Sequence, residues 1–143
     1  MTKTCYEIIE WCSKGKTRKD KIARLQKNSG PMLKTILGYT FDPNVKWLLP
    51  EGNPPYKQTP DGLEVHGAFT AELRRLYLFV EGPTETQQKL KSQRREALFI
   101  ELLESVHPDD AKLLLSMKDR KLPVRGITRR LVAEAFPNLS KDW

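Results

Sequence analysis

Apolar residues recur along most of the chain at the spacing of a buried helix face. The first such face repeats at i, i+3, i+4 and i+7 and consists of Cys5, Ile8, Ile9 and Cys12. Gly15 is expected to end this helix. Because Cys5 and Cys12 would lie about two turns apart, too far for a disulfide, they are predicted to be free thiols in the core.

Helix start and stop signals mark the next two helices. Thr17 suits the N-cap of a second helix that runs to about residue 28. The Gly30-Pro31 pair predicts a break, with Pro31 in the first turn of a third helix. Helical periodicity returns in four later segments, at residues 68–81, 86–106, 108–120 and 127–136. Residues 97–106 are apolar around most of the helix circumference, which predicts a central place in the core.

Between the third and fourth helices the chain carries turn-forming residues. Residues 50–67 contain four prolines and three glycines, which predicts an irregular surface loop. A length of 143 residues suits one domain with a substantial core. The predicted fold is therefore mainly α. It is a single compact bundle of about seven helices, spanning residues 1–143, with one long Pro/Gly-rich loop at about residues 50–67.

The charge distribution is the first functional indication. The chain has a net charge of +7 and a pI near 9.5. Basic residues concentrate in residues 14–27 and 118–130, whereas acidic residues gather between Glu96 and Asp110. A third basic group comprises Lys89, Lys91, Arg94 and Arg95. This segregation indicates affinity for a polyanion, although solvated helix faces would also account for runs of charge.

Sequence motifs of catalysis are absent. The chain has no phosphate-binding Gly-rich loop, no HExxH, no CxxC and no GxSxG. Four carboxylates suit helix surfaces and a helix start better than an acid/base pair: Glu101, Glu104, Asp109 and Asp110. The two cysteines, His66 and His107 lack the neighbouring ligands that a metal site needs. The sequence therefore predicts a protein that is not an enzyme and holds no cofactor or metal.

Hydropathy indicates the compartment. No apolar run approaches the roughly 18 residues of a membrane span. Residues 1–4 lack the apolar core of a secretory signal. We therefore expect a cytoplasmic protein without a membrane partner.

Two blocks of the sequence carry short motifs in a specific order. The first, residues 7–49, contains an amphipathic helix, the run Gly15-Lys16-Thr17, a basic helix ending Lys27-Asn28, and the pairs Leu33-Lys34 and Thr40-Phe41. The second, residues 110–139, contains a helix ending Arg120-x-Leu122, a loop to Gly126, another helix, and Phe136-Pro137-Asn138-Leu139. In motif order and spacing the chain resembles the N-terminal helical DNA-binding domain of ATP-dependent DNA ligases, especially those encoded by tailed phages.

The departures from that resemblance limit what it implies. The adenylated-lysine motif of ligases, Lys-x-Asp-Gly, is missing, so only the binding module is implied and not the activity. Lys121 replaces an aspartate that is common in the ligase pattern, and a longer loop before Gly126 carries Arg125. Both changes add positive charge. The resemblance thus implies a small stand-alone phage protein, in the cytoplasm of the host cell, that binds DNA without catalysis.

Such ligase domains present cations and backbone amides to phosphates across a minor groove. The resemblance implies largely sequence-independent binding of intact or nicked duplex, in phage DNA replication, repair or host takeover. The implied contacts are Lys14, Gly15, Lys16, Thr17, Arg18, Lys19 and Lys21, together with Lys118, Arg120, Lys121, Arg125, Gly126, Thr128, Arg129 and Arg130. Each group contains a Gly-x-Thr helix start. It could bind an anion, or it could serve only to end one segment and cap the next helix.

Two other functions fit the sequence. The loop at residues 50–67, with Trp47 and Tyr56, could dock on a host or viral replication or transcription protein, although these aromatics would equally pack locally. A virion structural component would instead show stable, stoichiometric assembly. Substituting the basic clusters separates these functions from DNA binding, because a loop-mediated protein contact would survive the substitution.

Overall fold

The computed structural model describes residues 4–50, 52–57, 71–141 and 143. Eight helices form within these ranges: α1 (Cys5–Ser13), α2 (Arg18–Lys27), α3 (Pro31–Phe41), a 3₁₀ helix (Leu73–Phe79), α4 (Glu85–Lys89), α5 (Ser92–Ser105), α6 (Pro108–Lys118) and α7 (Arg129–Ala135). The described part contains no strand beyond the isolated bridge of Trp47 with Val80. The prediction of a mainly helical fold is confirmed. Residues 51 and 58–67 of the predicted loop lie outside the described residues, as does His66.

The second and third helices begin where the capping signals predict. Thr17 is the N-cap of α2, and its hydroxyl accepts a hydrogen bond from the Asp20 amide at 3.1 Å. Pro31 occupies the first turn of α3, where its missing N–H costs nothing. Cys5 and Cys12 form no disulfide and are buried in the core, as predicted. Burial raises the pKa of the Cys12 thiol to about 11, so this group stays protonated at neutral pH.

The predicted helix at residues 86–106 is wrong as one element, because the chain breaks into α4 and α5. Leu90 and Lys91 have extended backbone, with ψ of 119° and 149°. The Arg95 guanidinium donates hydrogen bonds to the carbonyls of Gln87 and Leu90. In a continuous helix, both carbonyls would instead accept hydrogen bonds from backbone amides four residues further along the chain. A charged donor from the next helix therefore stabilises the break.

The helix predicted at residues 68–81 is also modified. Its described part continues from residue 73 as the tighter 3₁₀ helix Leu73–Phe79. Beyond it, Glu81 N donates to Lys46 O and Leu48 N donates to Phe79 O, each at 2.8 Å. At the end of this helix, hydrogen bonds to residues 46 and 48 thus satisfy backbone groups that a longer helix would have paired internally.

The centre of the core is α6 and not residues 97–106. This helix packs against α1, α3 and α5. Its buried apolar residues are Ala111, Leu113, Leu114, Leu115 and Met117. In α5, by contrast, Ala97, Glu101 and Glu104 are exposed while Phe99 and Leu103 are buried. The prediction for residues 97–106 was wrong because three partner helices surround α6, which the periodicity of one segment does not reveal.

Asp110 links the start of α6 to the first turn of α1. Its buried carboxylate accepts a hydrogen bond from the Tyr6 amide at 3.0 Å, and so caps α1 as well as lying in the first turn of α6. Burial raises the pKa of Asp110, although hydrogen bonds from the Tyr6 and Cys5 amides oppose this rise. The ionised form is therefore disfavoured in the folded protein.

We expect Asp110→Asn to change how stability depends on pH. A carboxyl with a raised folded pKa contributes its full stability below the unfolded pKa and loses it as pH rises through the folded pKa. Asparagine keeps an oxygen acceptor for Tyr6 and carries no charge. Wild type should thus lose free energy of unfolding relative to Asp110→Asn as the pH rises above about 4, the ordinary pKa of an aspartate, as measured by urea denaturation. A constant difference between the two proteins would contradict this assignment.

Candidate nucleic-acid interface

The two basic segments predicted from sequence meet in the folded chain. Helix α2 packs against α7. Arg18 in α2 forms an ion pair with Glu134 in α7, with N–O distances of 2.6 Å. At Gly126, φ is +94°, and a Cβ at this position would lie 2.7 Å from Lys21 Nζ. Because glycine leaves this space open, the Lys21 ammonium lies directly beside the loop that precedes α7.

Within residues 16–21 and 125–130, six cations are solvent-accessible and form no ion pair with a described residue. Lys121 is exposed and unpaired as well, but it lies in the turn directly after α6 and lines a separate groove. Of the six, five are exposed and Lys21 is half-buried. We call this set the basic face: Lys16, Lys19, Lys21, Arg125, Arg129 and Arg130. Its acidic neighbours are the exposed Asp20 and Glu134, and Arg18 already neutralises Glu134. The local charge is therefore strongly positive.

Both Gly-x-Thr helix starts act as caps. The Thr17 hydroxyl accepts from Asp20 N, and the Thr128 hydroxyl accepts from Leu131 N at 3.2 Å. Gly15 is buried, and a Cβ on it would lie 2.8 Å from the amide nitrogen of Lys21. Gly15 thus permits a close approach within the protein, rather than an approach to an external phosphate. These contacts support the interpretation that Gly15 and both hydroxyls serve to end and cap helices, rather than to bind an anion.

Two predicted site residues are exposed but already paired. Lys14 forms an i,i+4 ion pair with Glu10 at 3.0 Å, and Arg18 is held by Glu134. Exposed ion pairs of this kind stabilise by about 0–1 kcal/mol. Both cations can exchange a carboxylate for a phosphate at little cost, but they are not counted in the basic face because each already pairs with an acid.

The prediction that Lys118 contacts DNA is contradicted by its burial. Its side chain is 2% exposed. The ammonium donates to Pro50 O at 3.0 Å and pairs with Asp119 at 2.7 Å. An ammonium held this way is not accessible to a phosphate, and Lys118 instead ties the end of α6 to residue 50.

The structure likewise gives Arg120 a structural role. Its guanidinium donates to the main-chain carbonyls of Tyr39, Asp42 and Val45, which lie at and just beyond the end of α3. Burial lowers the pKa of Arg120, the Asp42 carboxylate raises it, and the Arg129 charge lowers it further. Both terminal nitrogens of Arg120 are therefore occupied by main-chain carbonyls, and its guanidinium interacts electrostatically with Arg129 of the basic face.

Sequence reasoning missed the role of Arg95. Its side chain is buried among main-chain carbonyls, whereas its neighbour Arg94 is exposed. A signal was present, because Arg95 lies in helical register with Phe99 and Leu102 on the buried face of α5. A charged residue at a core position indicates a structural partner rather than a ligand.

The described residues show no arrangement for metal chemistry. They contain no group of three or more His, Cys, Asp or Glu side chains that could hold a metal ion. None of the described helices combines the length and apolar content of a membrane span. Trp47 and Tyr56, which the docking hypothesis invoked, both pack partly buried against the core.

Fold and site together define a mainly helical protein with a basic face assembled from two distant segments. The chain belongs to a family of unknown function (DUF6433), whose match covers residues 8–124. No curated protein and no solved structure matches the chain.

Proposed function

We propose that this protein is a non-catalytic DNA-binding module that contacts the phosphate backbone of duplex DNA with little regard to sequence. The observation that carries the proposal is the basic face: packing of α2 on α7 joins two basic segments that lie about one hundred residues apart in sequence. The basic-face cations pair with no described acid, so phosphates can bind without first breaking ion pairs.

The resemblance of the two sequence blocks to ligase DNA-binding domains favours DNA among polyanions. On this proposal the protein acts in the cytoplasm of a phage-infected cell, in DNA replication, repair or host takeover, on intact or nicked duplex. Phosphate contacts position a protein but carry no sequence information. The face offers charged side chains, and its two capping hydroxyls are engaged internally, so base readout would contribute little.

The test is fluorescence anisotropy with labelled intact and nicked duplexes, from about 50 to 300 mM salt. Six phosphate contacts predict that log K falls with log salt at a slope of about −5. The double variants Lys16→Ala/Lys19→Ala and Arg125→Ala/Arg129→Ala should each weaken binding about ten- to a hundredfold at about 100 mM salt, and reduce the slope by about two.

The matched control is Lys91→Ala/Arg94→Ala, which removes two exposed cations from the first turn of α5 and its cap. This helix packs against α6 and the 3₁₀ helix, so the control should bind DNA like wild type. Equal losses in control and basic-face variants would show that net charge alone governs binding, and would refute the interface. Absence of binding at about 50 mM salt would refute DNA binding itself and direct the search to protein partners.

A further inference from the structure

An open groove of about 630 Å³ lies beside the basic face. One wall is the segment from Pro43 to Leu49, and the other is the turn after α6 that contains Asp119, Arg120 and Lys121. The first wall is fixed by its pairing with residues 79–81. Arg120 donates to Asp42 O and Val45 O and so joins the two walls.

The groove is positively charged. Lys118 and Arg120 lie on its inner side, and Lys46 and Lys121 are exposed along it. The Asp119 carboxylate forms an ion pair with Lys118 at 2.7 Å. Lys46 meets Glu81 only at 3.9 Å, with both side chains well exposed, so this pair contributes little. Lys121 pairs with no described acid. An anionic ligand would therefore find two available cations here.

An aromatic side chain lines the same groove. The Trp47 indole N–H donates to Tyr39 O at 2.9 Å, and its ring packs edge-on against Tyr39 with centroids 5.8 Å apart. The ring is thus held in place, and it is partly buried while still lining the groove. Cations that follow a backbone, combined with an aromatic surface for base stacking, are how proteins bind single-stranded nucleic acid.

The groove is linked to the basic face through the chain and through Arg120. Lys121 precedes the Arg125–Arg130 part of the face by one short loop, and Arg120, at the groove, lies within electrostatic reach of Arg129. A DNA strand leaving a duplex on the basic face would meet Lys121 and then Trp47 and Lys46.

We propose that this groove binds a single-stranded tail of DNA at the end of a bound duplex, with a base stacked on Trp47 and phosphates on Lys46 and Lys121. This inference rests on the proposed function and specifies its substrate: a junction of duplex and single strand.

The experiment compares a blunt duplex with the same duplex carrying a thymidine tail of about four nucleotides at either end, and with an abasic tail of equal length. Wild type should bind at least one tailed duplex about tenfold more tightly than the blunt duplex. The abasic tail should lose most of that gain, because it offers phosphates but no base to stack. Lys46→Ala/Lys121→Ala should bind the blunt duplex nearly as wild type does and lose the tail preference. The control Lys91→Ala/Arg94→Ala should keep it.

Each outcome decides between the two proposals. Equal affinity of wild type for blunt and tailed duplex overturns the groove inference and leaves the proposed function standing. A tail preference that survives in Lys46→Ala/Lys121→Ala also overturns the groove inference. Binding of tailed but not blunt DNA, lost in that variant, supports the groove and overturns duplex binding by the basic face. Binding of neither overturns both.

Discussion

Replacing Arg95 by methionine is expected to lower the free energy of unfolding by about 3 kcal/mol. Arg95 is 7% exposed, and its guanidinium donates to Leu78 O at 3.1 Å, Gln87 O at 3.2 Å and Leu90 O at 2.9 Å. Methionine fills similar space but donates nothing. Hydrogen bonds from charged groups contribute about 1.5–3 kcal/mol each, and the carbonyls left behind would lose their partners away from water.

The control for this prediction is the adjacent residue. Arg94 is exposed, and Arg94→Met should change stability by less than about 0.5 kcal/mol. Urea denaturation of both variants measures the difference. Equal effects at the two positions would contradict the assignment of Arg95 as the group that holds the 3₁₀ helix, α4 and α5 together.

Replacing Arg120 by alanine is expected to cost about 2 kcal/mol of stability. This substitution removes the guanidinium that donates to the carbonyls of Tyr39, Asp42 and Val45, at and just beyond the end of α3. Arg120 also has a φ of 68°, a left-handed conformation that costs a residue with a Cβ about 1 kcal/mol. Arg120→Gly loses the same hydrogen bonds but relieves this strain, so it should be about 1 kcal/mol more stable than Arg120→Ala.

Urea denaturation of the two variants tests this order of stability, and DNA anisotropy of the folded Arg120→Gly protein tests the role. We expect its affinity for blunt duplex to stay within about threefold of wild type, because Arg120 supports the basic face without contacting phosphate. A large loss of affinity with unchanged stability would return Arg120 to the DNA contacts. Arg120→Gly being less stable than Arg120→Ala would contradict the strain argument.

Helix positions were largely predictable because their causes are local. The N-cap at Thr17, the proline in the first turn of α3 and the buried pair Cys5 and Cys12 each depend on residues within about two turns. The break between α4 and α5 was not predictable in this way. It depends on Arg95 reaching back to Gln87 and Leu90, and on Leu78 lying close enough to accept as well.

The candidate site shows the same contrast between features with local causes and features that depend on distant residues. The sequence shows where cations concentrate, because charged residues can be counted directly along the chain. It could not separate Lys118, which is buried, from Lys121, which is exposed three residues later. Nor could it separate Arg120 from Arg129, because the carbonyls that engage Arg120 come from a segment about eighty residues away.

The amino-acid sequence was enough to predict a mainly helical protein, the starts of α2 and α3, two buried cysteines without a disulfide, and two clusters of positive charge. Only the folded chain reveals which cations are available and that the two clusters lie next to each other, because α2 packs on α7. The physical reason is that periodicity and capping act between neighbours. By contrast, burial, the acceptors of a guanidinium and the meeting of α2 with α7 depend on which distant segments pack together.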